Sequence, residues 1–433
     1  MSITIAFSEY IELLKINDIS PYESKFNRIS NKLHEKYWSK SDDCKGIIVG
    51  SVGRGTAING VSDLDMLYVL PDSVKKRIDK RSGNGQSALL QEVKNQISLS
   101  YPTTTKEGNG QVVVVSFRDY EFEVCPVFIK DNDTFYYPDS NNGGKWRTTK
   151  PNLEQAECVK IENEFGTVFK NLCFLTRAWK NSWGLKVGGL LIDTLVYDFL
   201  NSNTDLKNSV YSDYPQILLK YFEYLSGLKS EQSFWYALGS RQKVYNKNNG
   251  RFIKKAKKVK KKLEKTNLNS DEVYTAMRYI FGNKFPSYSS EKFTAKKYVS
   301  EMFSFTNTEQ FIEDRYPVDI RYSLNLDCKV TQSGWQPFWL KESTKPLRTV
   351  KNLEFRAVFH DVPPPYRMYW KVRNRGVEAK KRDMIRGGLL ADNGKEVRTE
   401  KSTFSGEHFV ECYIVKNGVC VARDRINVPI SIL

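Results

Sequence analysis

The sequence predicts an α+β protein in two parts: a mixed sheet joined to a helical lobe, then a mostly antiparallel β domain. Three observations carry this. Two apolar runs, Ile47-Ile48-Val49 and residues 63–70, flank a glycine-rich segment, as strands around a tight turn do. From Gln155 helical periodicity sets in, clearest in the amphipathic stretch 164–179. After residue 307 the pattern changes to strict alternation, the period of a strand. A chain of 433 residues is long enough for such a division.

Residues 7–38 read as one or two helices leading into the first sheet, with Phe26, Ile29, Leu33 and Tyr37 at three- and four-residue spacing. The segment GSVGRGTAINGVSDLDMLYVL follows at 50–70. Its Gly50-Ser51 turn offers backbone N–H groups and a hydroxyl to phosphate oxygens. Asp63 and Asp65, two apart in a strand, share one face, while Leu64 and Met66 enter the core. Neighbouring carboxylates repel, and a divalent cation between them removes that cost. Residues 111–128 (QVVVVSFRDYEFEVCPVF) read as one long strand with Glu121 and Glu123 on a common face. An antiparallel neighbour setting Glu123 opposite the aspartates would complete three acids around two Mg²⁺ ions, with Glu121 as the alternative.

Gly-Ser, then Asp-x-Asp, then an acid shortly before a proline is similar to the DNA-polymerase-beta-like nucleotidyltransferases. GSVGRGTAINGVSDLDML most resembles the CD-NTase (SMODS) synthases of cyclic oligonucleotides. The resemblance implies a bilobal polymerase-beta-like core, with a catalytic lobe at 1–154 and a helical lobe at 155–286. It implies that Gly50 and Ser51 hold the triphosphate, Asp63 and Asp65 both metals, and Glu123 the first metal. The third acid is often Asp in that family, so Glu is a departure. The metals would be two Mg²⁺ or Mn²⁺ ions.

A lysine on the helix after Gln155 reaches the triphosphate in the resembled family, which makes Lys180 the candidate, with Arg177 one turn back. A lysine at a helix end also pairs with the helix dipole, so both readings stay open. Gly188-Gly189-Leu190 stands where relatives place a hydroxyl residue and an aromatic for base and sugar. A last helix over 271–286, stopped by Gly282 and Pro286, closes the lobe.

Residues 287–307 form a Ser/Thr-rich connector, and 308–433 the β domain. One face alternates from Val318 through Ile320, Tyr322, Leu324, Leu326 and Cys328 to Val330. Further strands are predicted at 353–359, 366–373 and 408–422, the last with Asn417-Gly418 as a type I′ hairpin turn. The text PPPYRMYWKVRNRGVEA, RGGLL and TFSGEHFVECYIVKNGVCVARD resembles the AGS-C domain, which implies a sandwich that senses a ligand. Tyr366, Trp370, Arg373, Arg375, His408 and Glu411 are the candidates for its pocket.

Seven scattered cysteines without a C-x-x-C pair predict buried free thiols. No signal peptide is visible, and the apolar run at 187–200 is broken by Asp193 and Asp198, so a cytoplasmic protein with no membrane partner is expected. The net charge of +17 is concentrated partly in RFIKKAKKVKKK at 251–262, where Phe252, Ala256, Val259 and Leu263 mark a core face. Its lysines read either as a solvated face or as phosphate contacts. The family resemblance implies nucleoside triphosphates as substrates (ATP and/or another), a cyclic di- or trinucleotide product, and a separate effector that binds it in antiphage signalling. An activating ligand or nucleic acid is a further partner it allows. A template-independent synthase of linear oligonucleotides is the main alternative. A transferase that nucleotidylates a small molecule or protein, and a pure nucleic-acid binder, are the others.

Overall fold

A computed structural model describes residues 1–16, 18–38, 45–60, 63–117, 121–247, 249–288, 309–343, 346–375, 378–379, 382 and 384–431. Most of the expected connector, and Cys44, lie outside the described residues. The chain divides into two compact units, residues 2–179 with 187–287, and residues 288–433 with 180–186.

The first unit opens with α1 (Ile3–Leu14) and α2 (Ser20–Tyr37). Strands β1 (Gly46–Ile48) and β2 (Asp63–Val69) enclose the short helical turn α3 (Gly50–Gly53). Helices α4 (Asp72–Asp79) and α5 (Gly85–Ser98) precede β3 (Thr105–Asn109), β4 (Val112–Ser116), β5 (Glu121–Asp131), β6 (Thr134–Asp139) and β7 (Lys145–Thr149). The sheet runs β1-β2-β5-β4-β3, with β6 beside β5 and β7 beside β6. Alternation fixes its faces. Leu64, Met66, Tyr68, Val113, Val115, Phe122 and Val124 pack on Ile29 and Leu33 of α2 and on Leu89, Val93 and Ile97 of α5. The residues between them point the other way, acids at one end and Leu67, Val69 and Val127 at the other.

Two sequence expectations change. The single strand over 111–128 is two strands, β4 and β5, paired antiparallel from Val113↔Val124 to Ser116↔Glu121. Residues 118–120, between the two strands, lie outside the described residues. The neighbour of β2 that carries Glu123 is parallel to it, not antiparallel. Strand alternation specifies faces and carries no information on pairing direction.

The helical part contains α6 (Pro151–Phe165), α7 (Val168–Ser182), α8 (Gly189–Asn201), α9 (Tyr214–Gly227), the ribbon β8 (Phe234–Tyr236) with β9 (Lys243–Tyr245), α10 (Arg251–Glu264) and α11 (Glu272–Phe281). The amphipathic stretch 164–179 straddles the break at Gly166, so Glu164 and Phe165 end α6 and the remainder forms α7. Of the two N-terminal helices, α2 backs the sheet. The aromatic residues of α1 serve this lobe instead, Phe7 against Tyr214 and Phe285 at 5.5 and 5.1 Å between centroids. Helix α10 buries Phe252, Ile253, Ala256, Val259 and Leu263, and Lys254, Lys257, Lys258 and Lys261 are exposed.

The second unit is a sandwich. Its strands are β10 (Leu324–Thr331), β11 (Phe338–Trp339), β12 (Leu347–Arg348), β13 (Asn352–His360), β14 (Arg367–Arg373), β15 (Arg386–Ala391), β16 (Val397–Lys401), β17 (Gly406–Lys416) and β18 (Val419–Ser431). One sheet runs β11-β10-β13-β16 and the other β12-β18-β17-β14-β15, antiparallel except at β12–β18. Leu326, Cys328 and Phe355 from the first meet Trp370, Cys412 and Ile414 from the second. Asn417 and Gly418, at φ 50° and 75°, make the expected two-residue turn. The long alternation from Val318 is shared between two cores. Val318 bridges Cys420 and Ile320 joins a small cluster with Tyr369 and Tyr413, and β10 itself begins at Leu324. The six described cysteines are buried and free.

Candidate active site

The parallel register of β2 and β5 brings the four acids into two rows. Asp63 stands opposite Glu121, and Asp65 opposite Glu123. Asp63, Asp65 and Glu123 are half-buried, whereas Glu121 is buried and accepts a hydrogen bond from Ser116 Oγ at 2.9 Å. Burial first, then the fields of Asp65 and Glu123, push the neighbouring Cys125 thiol up, so those two carboxylates act on one spot.

The Gly-Ser turn lies directly on this face. Val49 N–H donates to Asp65 O at 2.9 Å, so the chain leaves β1 beside Asp65. Gly50 then takes a left-handed φ of 65°, and a Cβ there would fall 1.8 Å from Asp65 Oδ2. Only glycine satisfies both conditions. Gly50→Ala should therefore displace the Asp65 carboxylate, and we expect roughly a hundredfold loss of turnover with a stability cost of about 1–3 kcal/mol, read by steady-state kinetics and thermal melting.

The donor set, all carboxylate oxygen, suits a hard divalent cation. The acids are not drawn together as they stand: among the described residues no three His, Cys, Asp or Glu side chains form a group that could hold an ion. Because Glu121 is committed to Ser116 and Glu123 faces Asp65, Glu123→Gln should cost orders of magnitude in rate and Glu121→Gln little. Assayed side by side, the reverse order would make Glu121 the ligand.

Sequence reasoning missed the support beneath this turn. Arg54, at the end of α3, is buried and its Nε donates to Asp193 Oδ2 at 2.9 Å, with Glu154 Oε2 3.5 Å from its Nη1. Arg177 Nη1 donates to Asp193 Oδ1 at 2.6 Å, and its Nη2 to Oδ2 at 3.0 Å and to Thr56 Oγ1 at 3.1 Å. Thr56 Oγ1 donates to Asp193 Oδ2 at 2.8 Å. Asp193 thus ties both ends of the Arg54–Thr56 loop to α7 and α8. Burial alone would raise its pKa, but Arg177 and Arg54 more than offset that and hold it at about 2. The signal was present in the sequence as an aspartate interrupting an apolar helical run.

The triphosphate candidates on α7 already have partners. Arg177 is committed to Asp193, and Lys180 is buried with Nζ 3.1 Å from Asp319 Oδ1, both in the second unit. Gly188 caps α8, and Gly189 O accepts from Arg177 Nη2 at 3.3 Å, so backbone stands where relatives were expected to carry side chains.

Two domain families match the chain. Residues 1–162 match the Second Messenger Oligonucleotide or Dinucleotide Synthetase domain, and 306–431 the Adenylyl/Guanylyl and SMODS C-terminal sensor domain. The chain thus carries a SMODS-type synthase domain followed by an AGS-C domain, each over less than half of its length. A Cytidylate cyclase from Staphylococcus aureus is 28% identical over 161 residues, 35% of each chain, so the match spans about a third of that relative. Solved structures with some likeness include CdnC from E. coli MS115-1 in complex with HORMA-deltaN (16% identity, TM-score 0.48, 66% of this chain and 98% of that one). DncV from Vibrio cholerae in a 3′-deoxy ATP bound form is another (14%, TM-score 0.46, 66% and 82%). These overlaps are too loose to carry an argument about substrate. Among the described residues no helix is long and apolar enough to cross a membrane.

Proposed function

We propose that this protein is a metal-dependent nucleotidyltransferase that joins nucleoside triphosphates into a cyclic di- or trinucleotide. The observation that carries the reading is the contact of Gly50 with the Asp65 carboxylate, which sets a phosphate-binding turn against an acidic strand face. In the reaction a sugar hydroxyl loses its proton to solvent and its oxygen bonds to an α-phosphorus, the bond from that phosphorus to the bridging oxygen of the β-phosphate breaks, and pyrophosphate leaves with the electron pair. Gly50 N–H and the Ser51 hydroxyl bind the triphosphate, and Asp193 keeps their loop in place through Arg54 and Thr56. Two Mg²⁺ or Mn²⁺ ions held by Asp63, Asp65 and Glu123 would supply charge stabilisation at the attacking and leaving oxygens. The family resemblance adds Lys180 as a triphosphate contact.

The family supports a cyclic product, and so does the relative named as a cyclase. A cytoplasmic setting, with buried free thiols and a nucleotide supply, suits the reading. So does a role in antiphage signalling through a separate effector. The basic face of α10 is available to nucleotides or to an activating nucleic acid. A ring has no terminal phosphate, so the product should survive phosphatase. A ladder of oligomers that loses its terminal phosphates would establish the linear alternative instead.

A further inference from the structure

Of the residues expected to form a sensing pocket, Arg375 and His408 meet, Arg375 N–H donating to His408 Nδ1, whereas Tyr366, Trp370 and Glu411 have other partners. Tyr366 bonds to Glu396 and His360, Trp370 Nε1 donates to Asp392 Oδ1 at 2.8 Å, and Glu411 pairs with Lys371 at 2.7 Å. Of these candidates, His408 lines a cavity in the β domain that is built as a site. A cavity of about 700 Å³ opens between the two sheets, walled by Leu353 and Phe355 on one side and Val372, Val410, Val428 and Ile430 on the other. That volume is in the range of small-molecule pockets.

Arg386 and Glu400, on edge strands of different sheets, also line it. Their bond is bidentate, Nη1 to Oε2 at 2.6 Å and Nη2 to Oε1 at 3.0 Å. Arg398 Nε donates to the same carboxylate at 2.9 Å. Arg386 reaches across because its backbone is left-handed (φ 57°), unusual for a residue other than glycine, beside a bulge in the β14–β15 pairing. Arg373 Nη1 holds that bulge by donating to Arg386 O at 2.6 Å. His408, also lining the cavity, accepts from Arg375 N–H at Nδ1, and its Nε2 faces Phe404 O at 3.2 Å. Two guanidiniums therefore share one carboxylate above an apolar floor. A left-handed residue, a bulge and two guanidiniums on one carboxylate coincide at this point.

We propose that this inter-sheet cavity binds an amphipathic small molecule, with an apolar body between the sheets and one acidic head, phosphate or carboxylate, at Arg386. The head displaces or shares Glu400, which opens the mouth of the cleft. The proposal concerns the β domain and does not depend on the catalytic reading.

The test is calorimetric titration of the full chain with dodecyl phosphate, dodecanoate and uncharged dodecanol, each below its aggregation concentration. One equivalent of at least one acid should bind ten or more times tighter than the alcohol, and the two acids against each other identify the head group. Arg386→Gln should reduce the acids to the alcohol's affinity and Arg386→Lys only partly so. Val410→Phe, or the smaller Val372→Ile if that variant does not fold, should weaken all three. Equal affinity for alcohol and acids, acid binding unchanged in Arg386→Gln, or no binding by any probe would overturn the proposal.

Discussion

Asp65→Asn should abolish pyrophosphate release, with a loss of roughly a thousandfold or more, while the fold survives. Asparagine keeps the shape of the side chain beside Gly50 and removes the charge that several kcal/mol of transition-state stabilisation depend on. Asp63→Asn, on the same face, should behave alike. Both variants should melt within a few degrees of wild type, because a repelling pair of carboxylates has lost one charge. Turnover near wild type in either would remove the acid face from the chemistry.

Asp193→Asn should have the opposite profile, with stability falling first. Asp193 is fully buried between two buried arginines, and neutralising it removes the carboxylate charge they share, with only Glu154 at 3.5 Å left beside Arg54, a cost of about 3–5 kcal/mol. The contribution has a defined pH window. The folded-state value of about 2 lies below the unfolded carboxylate range near ~3.9, so the stabilisation is complete above about pH 4 and is lost as pH falls toward 2. Denaturant melts of wild type and Asp193→Asn should therefore differ strongly at neutral pH and converge at the acid end. A constant difference across that window would show that the aspartate acts through packing alone.

The local parts of this site were legible in the sequence. Gly50-Ser51 and the shared face of Asp63 and Asp65 follow from spacing, and Asn417-Gly418 named its own turn. What spacing could not show is which strand lies beside β2 and in which direction, since faces alternate identically in either pairing. The support from Asp193 was out of reach for another reason. Its partners Arg54 and Arg177 lie 139 and 16 residues away, and only the folded chain makes them neighbours. Arg386 was hidden similarly, because its left-handed backbone has no residue-type signature when the residue is not glycine.

The most direct test of the central claim is product analysis by mass. Wild type, Asp63→Asn and Asp65→Asn are each incubated with all four ribonucleoside triphosphates and Mg²⁺ or Mn²⁺, with pyrophosphate measured in parallel. Wild type should release pyrophosphate and accumulate a phosphatase-resistant product whose mass equals two or three nucleoside monophosphates less one water per linkage, ring closure included, and both variants should yield neither. Pyrophosphate release that persists in the variants, or no turnover of any triphosphate by wild type with either metal, would contradict it.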